Sequence, residues 1–419
     1  MSEKEPAPEA KREFDLVLFG ASSFVGALTA AYLSENVPED FKVALAGRSR
    51  EKLEKVRSEL AGTAGDWPII LADSNDEKSL AAMVKSARVV VTTVGPYSKY
   101  GLPLVRACAE SGTDYADLTG EPLFMRRSID SADETAKASG ARIVHTCGFD
   151  SIPSDLGVLA LHEAAKEADA GGLGETTLVV SAMKGGVSGG TVESMKGQID
   201  ESKADPSARR LAADPYALSP NRDVEPDAGS ERDSMGVGRD PDTGDFVAPF
   251  VMAGVNTRVV RRSNALMDWA YGDSLRYREL MNAGSGAIGA VKAGLVVGGL
   301  GGLVAGLAFP PTRALLDRVL PDPGEGPSEE SRKKGFFKIR ITTTTSSGRK
   351  FRCRVEAPGD PGYRATAVML GQAGLCLALD QDITPEVSGV LTPATAMGGV
   401  LTERLRAAGH TYDVSEVGR

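Results

Sequence analysis

An apolar run that stops at a glycine and restarts as a helix constrains this chain more than any other stretch. Val17, Leu18 and Phe19 read as a buried strand, and Ala27, Leu28, Ala30, Ala31 and Leu33 continue as a helix after Gly26. Gly20, Ser23 and Gly26 stand at the spacing G-x-x-x-x-x-G, with Ser23 where many such turns carry a middle glycine. Small residues there let backbone N–H groups around Gly20, Ser22, Ser23, Phe24 and Gly26 close on a phosphate, while the helix N-terminus adds partial positive charge. Glycine punctuates any turn, so the argument rests on context: the turn follows a strand, opens a helix and lies near the N-terminus.

At 419 residues the chain can build two or three domains with their own cores. A net charge of −9 and a pI near 5.2 argue against nucleic acid as a partner. Met1 to Arg12 are charged, contain proline and lack an apolar core, so 1–12 read as a disordered lead-in and not as a signal peptide. Cys108, Cys147, Cys353 and Cys376 are scattered, which fits a reducing cytoplasm and shows no disulfide framework. With only His145, His162 and His410 as histidines, no metal centre is expected.

A second strand, Phe41 to Ala46, ends at Gly47, Arg48 and Ser49. A carboxylate at this strand end would meet the ribose 2′-hydroxyl of NAD; Arg48 instead suits the 2′-phosphate of NADP, with Ser49 as a further donor. The plainer reading is that Arg48 opens the solvated helix Glu51 to Leu60. The third strand, Trp67 to Leu71, leads to Asp73, placed either to touch adenine or to cap the next helix. Arg88 to Val94 reads as a central parallel strand, so Val94, Gly95, Pro96 and Tyr97 would wall the nicotinamide ribose. A helix from Pro103 to Ser111, the stretch Tyr115 to Glu121 and a strand Ala141 to Thr146 follow, the last ending at Cys147 and Gly148. This alternation predicts an α/β fold: a Rossmann-type doubly wound parallel sheet over 13–155, holding NADP.

The second half reads as an α+β substrate or oligomerisation domain over 156–390. Thr176 to Met183 predicts a strand leading into the glycine-rich 184–191, where Ser188, Gly189, Gly190 and Thr191 either contact substrate or merely connect elements. Asp200 to Asp245 is polar and proline-rich, an exposed irregular insertion with the character of a lid. Phe336 to Thr344 and Lys350 to Glu356, joined by Ser346 to Gly348, predict a hairpin in an antiparallel sheet, with the helix Ala365 to Leu379 packed on it. Thr392 and Pro393 open a last helix that stops at Gly409.

The motifs at Gly20–Gly26, Ala46–Ser49, Val94–Tyr97, Tyr115–Glu121 and Gly148–Asp155, in that order and with 324–330 further on, resemble the saccharopine dehydrogenase-like oxidoreductases, especially the branch with the mycobacterial trans-acting enoyl reductases. The resemblance spans essentially the whole chain. It implies NADP-dependent reduction of a carbon–carbon double bond in a lipid-like acyl chain carried by a polyketide synthase. It also implies that the C-terminal helix, 391–419, returns to the nucleotide domain. The alternatives are a saccharopine-type imine or carbonyl reductase, and a non-catalytic NADP-binding protein of lipid surfaces.

No tyrosine begins a Tyr-x-x-x-Lys motif, so the short-chain dehydrogenase acid is absent. Tyr97, His145, Asp150 and Ser151 fall at predicted strand ends and are the candidate proton donors. Each also has a structural reading: Tyr97 beneath the cofactor, His145 inside its strand, Asp150 and Ser151 as helix caps.

Residues 293–312 carry no charge and just reach bilayer length. Trp269, Arg276, Tyr271, Tyr277 and Arg278 before them and Arg313 and Arg318 after them suit a membrane surface. A crossing would strand the hairpin and last helix opposite the nucleotide domain. Peripheral attachment at the inner face of the plasma membrane, a buried helix and a homodimer contact are the readings left.

Overall fold

The run Phe14–Phe19 is a strand with both faces covered, because Leu16, Val17, Leu18 and Phe19 are all fully buried and only a parallel sheet clothed on two sides can use them. The computed structural model describes residues 12–186, 188–229, 231–320 and 326–418. Residues 1–11 of the expected lead-in, and 324 and 325 of the last shared motif, lie outside them.

The strands in chain order are β1 (Phe14–Phe19), β2 (Val43–Gly47), β3 (Ile69–Leu71), β4 (Ala87–Thr92), β5 (Asp114–Ala116), β6 (Arg142–Val144), β7 (Leu173–Lys184), β8 (Gly238–Arg239), β9 (Phe246–Pro249), β10 (Arg276–Gly284), β11 (Phe336–Thr345), β12 (Lys350–Pro358), β13 (Gly389–Leu391) and β14 (Thr411–Glu416). The helices are α1 (Phe24–Asn36), α2 (Arg50–Ser58), α3 (Glu77–Ser86), α4 (Tyr97–Ser111), α5 (Pro122–Ser139), α6 (Ile152–Glu167), α7 (Gly189–Ala204), α8 (Pro206–Ala213), α9 (Ala253–Leu266), α10 (Gly286–Ala308), α11 (Pro310–Leu316), α12 (Glu329–Lys333), α13 (Arg364–Leu379) and α14 (Pro393–Ala407).

The first sheet runs β13-β6-β5-β4-β1-β2-β3 and its pairs are parallel, the doubly wound order with one strand added at the edge. The second runs β14-β12-β11-β7-β10-β9-β8. It is antiparallel except where β10 lies parallel to β7.

Three expectations about the second half need correction. Helix α13 does not cover the second sheet; it lies on α1 and on β1, β4 and β5. A Cβ on Gly374 would come within 2.6 Å of Val91 and 2.9 Å of Leu16, and one on Gly371 within 2.6 Å of Tyr32, so the two glycines let it sink onto the first sheet. The helix that covers the second sheet is α6, whose Gly157 faces Ile341 and Val355. The boundary at 390 also dissolves, since Gly389–Leu391 extends the first sheet while β14, past the last helix, closes the second. Finally, 200–245 is irregular over most of its described residues from 214 on, as expected, but it begins in α7, contains α8 and is fastened to α9 by the pairs Glu231–Arg261 and Asp233–Arg258.

The returning C-terminal segment is clamped by one buried cation. Arg142 on β6 donates Nε to Asp114 Oδ2 at 2.9 Å, Nη1 to Thr384 Oγ1 at 3.1 Å and Nη2 to the Leu377 carbonyl at 2.6 Å. Removing one partner of a buried pair leaves the other charge uncompensated. Arg142→Ala is therefore expected to lower unfolding free energy by about 3–5 kcal/mol, read as an earlier denaturant or thermal midpoint.

Candidate functional site

The crevice forms where parallel strands end and helices begin, and its tightest point is the turn after β1. Gly20 has φ +85°, and a Cβ there would stand 2.8 Å from both Thr93 Oγ1 and Val94 Cγ2. A Cβ on Gly26 would meet the Gly20 carbonyl at 2.2 Å. Ser23 takes the middle place because its hydroxyl has work: Oγ accepts from Gly26 N at 2.9 Å, capping α1, and lies 2.8 Å from Thr93 Oγ1, which in turn donates to the Gly20 carbonyl at 3.0 Å. Ser22 and Phe24 complete the turn. A backbone packed this closely, at a helix N-terminus, fits a diphosphate.

Beside it, Arg48 follows β2 directly, is exposed and makes no ion pair among the described residues. Ser49 caps α2, accepting from Lys52 N at 3.4 Å. Asp73 closes a local turn on Asn75 N at 2.9 Å, and the cap of α3 is Asp76 instead.

Two buried carboxylates shape the rest of the edge. Asp117 accepts from Tyr115 OH at 2.8 Å, Thr119 N at 3.0 Å and Thr146 N at 3.1 Å, and its Oδ2 lies 2.7 Å from His145 Nδ1. Glu121 accepts from Tyr97 N at 3.0 Å, Ser98 N at 2.8 Å and Ser194 Oγ at 2.8 Å. It therefore caps α4 and ties it to α7, which starts α4 at Tyr97, nearly two turns earlier than the expected Pro103.

These contacts decide among the four candidate donors. Tyr97 is buried; its one proton goes to the Thr92 carbonyl at 3.1 Å and its oxygen accepts from Leu118 N at 3.1 Å, while burial and the Asp117 charge hold its pKa well above that of an ordinary phenol. His145 is not turned to the crevice but held inside, between Asp117 and Ser128 Oγ at 2.8 Å, edge-on to Tyr115 and Phe124. Ser151 is buried and donates to Asn256 Oδ1 at 2.9 Å. Asp150 differs. It is half-buried and has no hydrogen bond among the described residues, and burial, with Asp117 nearby, raises its pKa to about 7. The neighbouring Phe149 packs on Phe337 and Phe250, so an apolar wall from the second half stands next to this carboxyl.

Cys147 and Gly148 pack rather than reach outward. The Cys147 thiol is buried, with its pKa driven up by burial and Asp117, and a Cβ on Gly148 would lie 2.7 Å from Leu118. In the glycine-rich loop, Ser188 caps α7 by accepting from Thr191 N at 3.1 Å, and the two hydroxyls meet at 2.9 Å; Gly189 is buried and Gly190 exposed. Through Ser194 and Glu121 the helix α7 that this loop opens is tied to the start of α4, while the loop itself meets Asp360, which accepts from Gly186 N at 3.1 Å.

Residues near the turn that the sequence did not single out are Arg332 and Tyr363. Tyr363 meets Phe24 edge-on with centroids 5.1 Å apart, and the Arg332 guanidinium lies 5.0 Å from the same ring. A Cβ on Gly326 would come within 2.3 Å of Phe24, so the segment 326–332 lies against the start of α1 and sets a cation beside it. No local pattern marks Arg332, because the contact joins opposite ends of the chain.

Comparison with known proteins agrees with this geometry. Residues 16–144 match the saccharopine dehydrogenase NADP binding domain. A trans-acting enoyl reductase of Mycobacterium bovis is 47% identical over 96% of this chain and 97% of its own, and a Mycobacterium tuberculosis relative provisionally named for the same activity is 52% identical over 95% and 96%. In fold, the chain is similar to apo saccharopine dehydrogenase (L-Glu forming) from Saccharomyces cerevisiae, with TM-score 0.54 and 13% identity over 96% of this chain and 99% of that one.

Gly26→Ala tests the turn. The new Cβ must displace the Gly20 carbonyl, so NADPH affinity is expected to fall at least about tenfold in a fluorescence titration, a loss on the order of 1.4 kcal/mol, with the circular dichroism of the fold retained.

Proposed function

The chain belongs to the trans-acting enoyl reductases of the saccharopine dehydrogenase-like family, and from that premise we propose that it reduces the α,β double bond of a lipid-like acyl chain presented by a polyketide synthase. It is an NADP-dependent oxidoreductase. The full-length likeness to reductases of that activity carries the reading, and the glycine turn with Arg48 beside it supports it.

When bound, the reduced nicotinamide supplies a hydride to the β-carbon of the acyl chain. The residues of this chain do the rest. The turn Gly20 to Gly26, with Ser22, Ser23 and Phe24, would hold the diphosphate, and Arg332 would add its charge there. Arg48 and Ser49 would meet the 2′-phosphate, and Val94 to Tyr97 would wall the ribose. Addition at the β-carbon leaves negative charge delocalised over the α-carbon and carbonyl oxygen, and the α-carbon must then take a proton. Asp150 is the proposed donor: its proton is not committed to a hydrogen bond, and the apolar Phe149 wall limits water around it. Ser188 and Thr191 would line the acyl path.

Arg48→Ala is expected to weaken NADPH binding roughly 10–100-fold, the range of a lost charge-assisted pair, and to leave NADH binding unchanged. Calorimetry with both nucleotides checks this; equal uptake of the two forms before and after the change would sink the 2′-phosphate assignment.

The raised pKa of Asp150 also fixes a sign. The protonated form is the acid, so turnover should hold below about pH 7 and fall above it as the carboxyl ionises. Asp150→Asn should lower turnover of an enoyl thioester about 100-fold and flatten that limb, with NADPH affinity unaltered.

A further inference from the structure

The longest apolar segment of the chain is neither buried nor used by the reductase site. Helix α10, 23 residues, carries one charged side chain, Lys292, and its most apolar window has a mean hydropathy of 1.8 yet is only 11% buried. Ile288 is 73% exposed, Val291 63% and Leu295 70%, and the exposure continues past the helix end through Phe309, Leu315 and Val319. Only Gly289, Ala293 and Leu307 are buried, against the β9–β10 edge and the neighbouring helices α7 and α11.

The fold excludes a crossing. β10 before α10 and β11 after it belong to the same sheet, so both ends of the helix are anchored to one body. Its far end folds back: Arg313 pairs with Asp200 at 2.7 Å, Lys196 with Asp317 at 2.6 Å, and Lys203 donates to the Ala308 carbonyl. The aromatic belt expected in front of the helix does not exist either, because Tyr271 and Tyr277 are core residues and Trp269 bonds Glu225.

We propose that α10 lies flat in the surface layer of an anionic lipid membrane, docking the enzyme there through Ile288, Val291, Leu295 and Phe309, with Lys292 and Arg318 on the headgroups. Two observations select this occupant. The exposed positions of α10 cover its whole side away from β9, β10 and α7, from Ile288 and Leu295 to Val304, and the helix carries no carboxylate; that side can sink into the acyl boundary while the opposite side stays on the protein. The charges at the patch are also one-sided. The carboxylates Asp200 and Asp317 are matched by ion-pair partners, and Asp245, which accepts from Asn282 Nδ2 at 3.2 Å, lies near Arg239 on the Phe246 ring, while Lys292 and Arg318 have no partner among the described residues. The net charge of the protein is negative, but its distant carboxylates are screened within about 8–10 Å, so these two cations dominate locally.

The test is vesicle flotation of the full chain. It should float with phosphatidylglycerol-containing vesicles and far less with pure phosphatidylcholine. Lys292→Gln with Arg318→Gln should weaken binding roughly 30-fold. Ile288→Asp with Leu295→Asp should abolish it while leaving NADPH affinity and turnover of a soluble short-chain enoyl thioester unchanged, since neither residue touches the crevice. Absence of flotation with either vesicle, equal binding of both, or a sedimentation dimer dissolved by the Ile288 and Leu295 changes would overturn the proposal.

Discussion

The buried charge of Asp117 organises the crevice edge. Tyr115, the Thr119 and Thr146 amides and His145 all converge on one carboxylate, so the ends of β5 and β6 are fixed to each other at the point where a ligand would approach. A carboxylate this enclosed survives only because each lone pair has a donor. Burial first, and then its field, lift the proton affinity of its neighbours Tyr97, Cys147 and Asp150. Of these, only Asp150 is open enough to exchange a proton with anything outside the core. One interior anion thus holds the scaffold and tunes the single uncommitted acid beside it.

Much of the nucleotide half was legible because its signals are local. The β-branched run at 87–92 and the glycine turn at 20–26 both sit within a few residues of the elements they define. The start of α4 was not legible, since its cap is Glu121, far along the chain, and Pro103 imitates a helix start although it lies inside. The donor candidates show a second limit. Position at a strand end says which edge of the sheet a residue is near, but not whether its side chain turns outward, as with Asp150, or inward, as with His145 and Ser151. Helix α13 shows a third: apolar on all sides, it gives no hint of its partner, and only Gly371 and Gly374, spaced for close approach, point to one.

The two halves are threaded through each other. α13 and β13, from the distal part of the sequence, complete the nucleotide sheet, whereas β14, still later, completes the other. Phe24 at the glycine turn touches Tyr363 and lies near Arg332, so the turn also draws on both halves.

That threading has a temporal side. Because β13 and β14 follow every other strand in the order of synthesis, neither sheet can be finished until residues 389–416 have left the ribosome. A nascent nucleotide half must wait with β6 as a bare edge and the α13 seat on β4 and β5 uncovered, the kind of apolar surface that chaperones hold. Completion of both sheets therefore waits on β13 and β14.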